Sequence, residues 1–246
     1  MQQILVTGGT SGIGLATAQQ LKNAGHQVLI TGRSQGNLDR ALDQLNQSQG
    51  AEVNGLMCDQ SQPEQIQALA EELIQSDVQL NSLVLNAGIF LPQMFDDMTL
   101  DNLNGHMATN VTGPLMMIQA LLPIMKTPSS VVFISSIAVE KGFATAVAYS
   151  ASKAAFEGAM AALNLELAER GIRVNCVRPG VTLTDIQRKA GMDDAAIAGL
   201  KQAMGQTPAG DMLGPDDIAP AICHLALEGS RHSRNARITV DGGYCL

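Results

Sequence analysis

Positive charge is scarce in this sequence. Across 246 residues, 15 lysines and arginines face 23 aspartates and glutamates, a formal net charge of −8. That argues against a broad basic surface for nucleic acid or an anionic membrane and leaves room only for a local basic pocket. Tryptophan is absent and there are only two tyrosines, so a tyrosine in a chemical motif has few rivals from core filling. Cysteine is limited to Cys58, Cys176, Cys223 and Cys245, with no C-x-x-C pair and no metal-ligand spacing. Free thiols in a reducing compartment follow, and a cytoplasmic location is expected. Histidines 26, 106, 224 and 232 are equally scattered, so no metal is expected. No apolar run reaches the roughly 18 to 20 residues of a membrane helix. The opening MQQILVTGG lacks the parts of a secretory signal.

What is present is 46% apolar residue and a regular rhythm. A chain of this length buries roughly 70 to 75% of its unfolded surface as one large domain, here residues 1–246. Short β-branched runs predict strands at Gln3–Thr7, Gln27–Thr31, Glu52–Met57, Ser82–Leu85, Val131–Ser135, Arg173–Val177 and Arg237–Val240. Amphipathic stretches predict helices at 12–24, 35–48, 64–75, 99–125, 150–169 and 216–228. Several strands are almost continuously apolar, as strands covered on both faces are. The alternation predicts an α/β fold with a doubly wound parallel sheet of seven strands. Residues 185–211 break the rhythm and predict a small substrate lid over the carboxyl edge of the sheet.

Thr7-Gly8-Gly9-Thr10-Ser11-Gly12-Ile13-Gly14 follows the first strand and opens an Ala-rich helix. Gly8 suits a tight turn, Gly12 a close approach of backbone to pyrophosphate, and Gly14 close helix–strand packing. The helix N-terminus adds free N–H groups and a positive dipole end. No Gly-Lys-Ser/Thr is present, so a triphosphate loop is a poor fit. A dinucleotide is expected. The second strand ends in Gly32-Arg33-Ser34 with no acid to bind a ribose diol. Arg33 suits a 2′-phosphate, which points to NADP(H). Asp59 after the third strand and Asn86-Ala87-Gly88 after the fourth are further candidates for cofactor contact.

Tyr149 and Lys153, four apart in AYSASKAAFEGAMAAL, share one helix face. An ammonium beside a phenol favours phenolate, so a lowered tyrosine pKa is expected, fit for proton exchange with an alcohol or carbonyl oxygen. With Asn110, Ser136, Pro179-Gly180 and Asp241-Gly242-Gly243, these motifs stand in order and spacing as in the short-chain dehydrogenase/reductase family, which the chain resembles from residue 3 to 243. The resemblance implies a Rossmann fold and an oxidoreductase. It implies that Tyr149 is the general acid or base and that Lys153 holds the nicotinamide ribose. It further implies that Ser136 binds the substrate oxygen, that Asn110 positions a water, and that Thr184 helps hold the cofactor. Ser135 is expected to be structural.

The cofactor set is thus Gly8, Thr10, Ser11, Gly12, Ile13, Gly14, Arg33, Asp59, Asn86, Ala87, Gly88, Tyr149, Lys153, Pro179, Gly180 and Thr184. Ile89, Phe90, Leu91, Met94, Val139, Phe143 and Val181 are expected near a neutral carbonyl or alcohol substrate. Within the family, 3-oxoacyl-[acyl-carrier-protein] reductase is one alternative. Arg170 matches one of its carrier-contact positions, whereas Thr127 stands at the other. A non-catalytic dinucleotide sensor is a second alternative. Arg231, Arg234 and Arg237 form either a solvated turn or an interface or anion contact. Small and apolar residues around helices 99–125 and 150–169 predict a homotetramer or homodimer.

Overall fold

All seven strands form, and they explain their own burial. They are β1 (Gln3–Val6), β2 (Gln27–Gly32), β3 (Asn54–Met57), β4 (Leu80–Leu85), β5 (Met125–Ile134), β6 (Ile172–Pro179) and β7 (Arg237–Val240). In the computed structural model, which describes residues 1–47 and 49–246, they pair in parallel in the order β3-β2-β1-β4-β5-β6-β7. The register sets Val6 beside both Ile30 and Val84, and Ile134 beside Val177. Alternate residues feed two cores. Leu5, Leu83, Val131, Phe133 and Val174 pack on one face, and Ile4, Val6, Val28, Val84 and Val132 on the other. A parallel strand covered on both faces has no solvent side, which is why these runs are apolar throughout. This is the Rossmann architecture, with the sheet flanked by helices.

The helices are α1 (Gly12–Asn23), α2 (Gln35–Asn46), α3 (Pro63–Gln75), α4 (Leu100–Met107), α5 (Gly113–Leu121), α6 (Val147–Glu166), α7 (Asp185–Lys189), α8 (Asp194–Met204) and α9 (Pro215–Ala226). Proline at the first helical position starts α3 and α9, where its missing N–H is no loss. Thr99 and Asp193 cap α4 and α8 by accepting from Asn102 N and Ala196 N. The helix expected over 35–48 ends at Asn46, and residue 48 lies outside the described residues.

Two expectations need correction. The helix expected over 99–125 is interrupted by a π-turn at Ala108–Thr112 and ends in a 3-10 turn at Leu122–Ile124. Pro114 cannot donate to the Asn110 carbonyl one turn earlier, so the ladder slips to the wider spacing. Strand β5 starts six residues before the expected Val131. Its first residues include exposed Lys126, Thr127 and Pro128, which hid it from the apolar pattern. The segment 185–211 holds two helices, α7 and α8, and a bridge between Thr182 and Leu213 closes its base.

Helical residues Leu100–Ile124 are long and apolar enough, by length and average composition alone, to cross a membrane, although Asp101, Asn102, Asn104, His106 and Asn110 leave no unbroken apolar run. Half of the most apolar window is buried inside the protein. His106, Asn110, Met117 and Leu121 face inward, with 0% exposure for each.

Candidate active site

The strand ends carry the site. The glycine-rich turn leaves β1, Arg33 leaves β2, Asp59 follows β3, Asn86 follows β4, Ser136 follows β5, and Gly180 follows β6. All lie at the carboxyl edge, where open α/β sheets bind ligands. They border one cavity of about 740 Å³. Its lining includes Gly8, Thr10–Ile13, Arg33, Asp59, Asn86–Gly88, Ser136, Tyr149, Lys153, Pro179, Gly180 and Thr184. Gly14 and Asn110, expected in the site, do not line it.

The glycine turn is a cradle kept open by missing side chains. Gly8 has φ +63° and a Cβ there would sit 2.9 Å from Ala87 Cα. Gly12 has φ +54°, and Thr184 packs where its Cβ would point. Gly14 serves packing: a Cβ would meet Asn86 Nδ2 at 2.4 Å. That amide donates to Thr7 O and Gly8 O at 3.0 Å each. Asn86 therefore holds the turn with its side chain, a role the sequence reading did not give it. Ser11 opens α1 in extended backbone, with no side-chain cap and no acid in the first turn. The dipole end is left to an outside anion. Beside the cavity, buried Gln60 spans Ala87 O and Thr109 O through Nε2, and its Oε1 has no partner among the described residues. Free backbone at a helix start, room for close approach and an orphaned acceptor together fit a dinucleotide.

Asp59 Oδ1 accepts from Ser61 N and Ser61 Oγ at 3.0 and 2.7 Å. Arg33 is exposed and lines the cavity. A Cβ at Gly32 would lie 2.6 Å from Thr10 Cγ2, so the ribose acid absent here would also displace Thr10.

Tyr149 and Lys153 stand on the first turns of α6. Lys153 is 4% exposed and donates to Ile134 O at 2.7 Å. Its Nζ lies 4.8 Å above the Phe133 ring and 5.7 Å from the Tyr149 ring centre. Burial lowers its pKa to about 8, with Cys176 and Glu157 acting against that shift. The expected lowering of the tyrosine pKa is overturned. Burial pushes the Tyr149 phenol above its ordinary value, and a hydrogen bond with Ser136 offsets only part of this. Loss of hydration outweighs the partner. Ser136 Oγ also accepts from Ala138 N at 3.1 Å.

Asn110 sits behind this pair, on the π-turn. It closes a reciprocal pair with Ile89, accepting from its N at 3.0 Å and donating to its O at 3.1 Å. It also donates to Ser152 Oγ at 3.0 Å, and Ser152 donates to Tyr149 O at 2.7 Å. A Cβ on Gly88 would approach Asn110 Oδ1 and Lys153 Nζ at 3.2 and 3.3 Å, so glycine brings these groups together.

Several residues escaped the sequence reading. His106 is buried, receives Leu91 N at Nε2 (3.2 Å) and faces Asn102 O at Nδ1 (2.8 Å). It pins the Ile89–Leu91 loop beside Tyr149, 6.2 Å away between ring centres. Burial lowers its pKa, in keeping with a neutral ring that donates through Nδ1. Glu157, one turn beyond Lys153, accepts from Ser135 Oγ (2.5 Å), Arg178 (2.9 and 2.5 Å) and Arg237 Nε (3.0 Å). Ser135 is thus structural, as expected. Arg231, Arg234 and Arg237 are all exposed, as a solvated turn would have them, and each also has a partner within the protein. Arg237 pairs with Glu157, Arg234 donates to Ile172 O, and Arg231 donates to His232. Only charge parity could have hinted at Glu157. Ile89, Phe90, Leu91, Phe143 and Val181 line the cavity as expected, but Met94 and Val139 do not.

Residues 2–195 match the family model described as short chain dehydrogenase. The chain belongs to the short-chain dehydrogenase family. It is 32% identical over 245 residues to a tropinone reductase homolog of Datura stramonium, covering 98% of this chain and 91% of the relative. It is 32% identical to human dehydrogenase/reductase SDR family member 4, covering 97% and 86%. A solved short-chain dehydrogenase/reductase from Serratia marcescens BCRC 10948 superposes with a TM-score of 0.88 at 25% identity, covering 100% of this chain and 98% of that one. Membership makes the chain an oxidoreductase of the kind that works with a nicotinamide dinucleotide.

Proposed function

We propose that this dehydrogenase is NADP(H)-dependent and interconverts a carbonyl compound and its secondary alcohol, with Tyr149 exchanging the proton. The observation that carries the reading is the meeting of Ser136, Tyr149 and Lys153 in the same cavity as the glycine cradle. The reduced nicotinamide, when bound, supplies the hydride and is left oxidised. The chain's residues do the rest. Ser136 and the Tyr149 phenol offer hydrogen bonds to the substrate oxygen as charge develops there. Tyr149, kept protonated by burial, gives its proton to that oxygen in the reductive direction. Lys153 holds the ribose and lies behind the phenol. Asn110 acts at a distance through Ser152 and the Ile89 backbone, positioning the helix start and the loop.

Arg33, exposed beside the cavity with no acid next to it, supports the NADP(H) preference. The acyl-carrier variant of this activity draws no support from Arg170, whose guanidinium is tied to Leu122 O at 2.6 Å. A mere sensor has no chemical need for the whole Asn110, Ser136, Tyr149 and Lys153 set.

The test is Tyr149→Phe assayed with NADPH against a panel of ketones and aldehydes at 340 nm. Turnover should fall at least about 100-fold while cofactor binding stays near wild type. Near-normal turnover would assign the proton to another group.

A further inference from the structure

The chain has five phenylalanines, two tyrosines and no tryptophan. Four of these seven rings, Phe90, Phe143, Tyr149 and Tyr244, line the one cavity that holds the catalytic pair. Two others, Phe133 and Phe156, stack 3.9 Å apart in the core, and Phe95 lies 66% exposed. Aliphatic residues supply nearly all the rest of the core. The rings at the cavity are thus not leftovers of general packing.

Their arrangement is held from several sides. Phe90 sits 5.0 Å from Tyr149 between ring centres, beside the proton donor. Phe143 and Tyr244 stack nearly parallel, 8° apart in plane and 6.0 Å between centres. They come from positions about a hundred residues apart. Lys141 donates to Tyr244 O at 2.9 Å and places its ammonium 4.0 Å from the Tyr244 ring centre. Asp241 accepts from Gly243 N and Cys245 N at 2.9 Å each, which ties the C-terminal turn on either side of Tyr244. Gly242 O accepts from Ala209 N at 3.0 Å, joining that turn to the segment after α8.

The cations at this end each have a partner within the protein. Lys141 is engaged with Tyr244, and Lys189 stands 3.9 Å from Asp185. Arg33, the single arginine lining the cavity among the described residues, belongs to the strand end beside the glycine turn. With Lys141 set over the Tyr244 ring and no arginine clamp at this end among the described residues, the rings lining the cavity favour a neutral planar group.

We infer that Phe143 and Tyr244 form a specificity wall, and that the enzyme takes a ketone bearing an aryl or similarly flat apolar ring. This rests on the carbonyl-reductase reading and names its substrate class. In the reductive step, the carbonyl carbon receives the hydride and its oxygen the Tyr149 proton. The aryl ketone then leaves as the secondary alcohol and the nicotinamide is left oxidised.

The experiment compares acetophenone, cyclohexyl methyl ketone and butan-2-one with NADPH and the full chain. Wild type should prefer acetophenone to cyclohexyl methyl ketone in kcat/KM. Tyr244→Ala should cut that preference about tenfold, the scale of one lost aromatic contact, mainly through KM. Tyr244→Phe should restore it, because it returns the ring without the hydroxyl. No preference in wild type, or a preference unchanged in Tyr244→Ala, overturns the inference while leaving the reductase reading standing. If none of the three ketones is reduced, saturation-transfer NMR of acetophenone on the NADP⁺-loaded protein decides separately. Saturation of the ring protons that is lost in Tyr244→Ala supports the wall, and no saturation in wild type overturns it.

Discussion

Replacing Glu157 tests how the site is held from behind. Its side chain is 6% exposed, and its partners Arg178 and Arg237 are 13% and 33% exposed. Removing one member of a buried charge pair costs about 3 to 5 kcal/mol, because the other charge is left without its partner. Two features reduce that figure. Arg237 is a third exposed, so water replaces part of its contact. Arg178 keeps an ion pair with Glu140, which is 42% exposed. Glu157→Ala should therefore destabilise by about 3 kcal/mol, and thermal unfolding at fixed protein concentration should drop by roughly 6 to 12 °C. Glu157→Gln keeps the volume and one acceptor and should cost about half as much.

The pH dependence has a definite sign. Burial alone would raise the Glu157 pKa, but hydrogen bonds from Arg178 and Ser135, the Arg178 charge and the Arg237 bond together lower it. A carboxyl lowered on folding stabilises above its unfolded value, and that stability is lost as pH falls through the folded value. The stability gap between wild type and Glu157→Gln should thus be full at neutral pH and shrink through the acid range. Calorimetry at pH 7 and at several acid values measures both. A Glu157→Ala variant within 1 kcal/mol of wild type, or a gap that widens in acid, refutes this account.

Arg33→Ala should weaken NADPH binding by about 1 to 3 kcal/mol and NADH binding far less, checked by titrating both cofactors. Tighter NADH than NADPH binding by the wild type would remove the basis for the preference. Because burial raises the Tyr149 pKa, ketone reduction should stay level across neutral pH and fall only in alkali, whereas alcohol oxidation should climb as pH rises; parallel profiles would assign the proton elsewhere. Leu100, Leu165 and Val147 are 70%, 80% and 45% exposed on α4 and α6, and Gly158 faces open space. Light scattering should give a multiple of the 25.8 kDa chain, about 52 kDa for a dimer or twice that for a tetramer. A mass near the single chain would show that this face stays wet.

The sequence by itself determined what is local. Strand runs such as Gln27–Thr31 are apolar because both faces are covered, so periodicity found them. The glycine turn was legible because Gly8 and Gly12 need conformations that side chains disfavour. Tyr149 and Lys153 were legible because four residues is one helical turn. Only the tertiary structure decided which distant groups meet. Glu157, Arg178 and Arg237 come from α6, β6 and β7 and Ser135 from the loop after β5, and strand order together with the packing of α6 brought them together. The same holds for Phe143 and Tyr244, and for Asn110, whose partners Ile89 and Ser152 lie 21 and 42 residues away. The direction of the Tyr149 shift also required the fold. Spacing tells that an ammonium is near, but the loss of water around the phenol is set by everything packed on it, and here that loss is the larger effect.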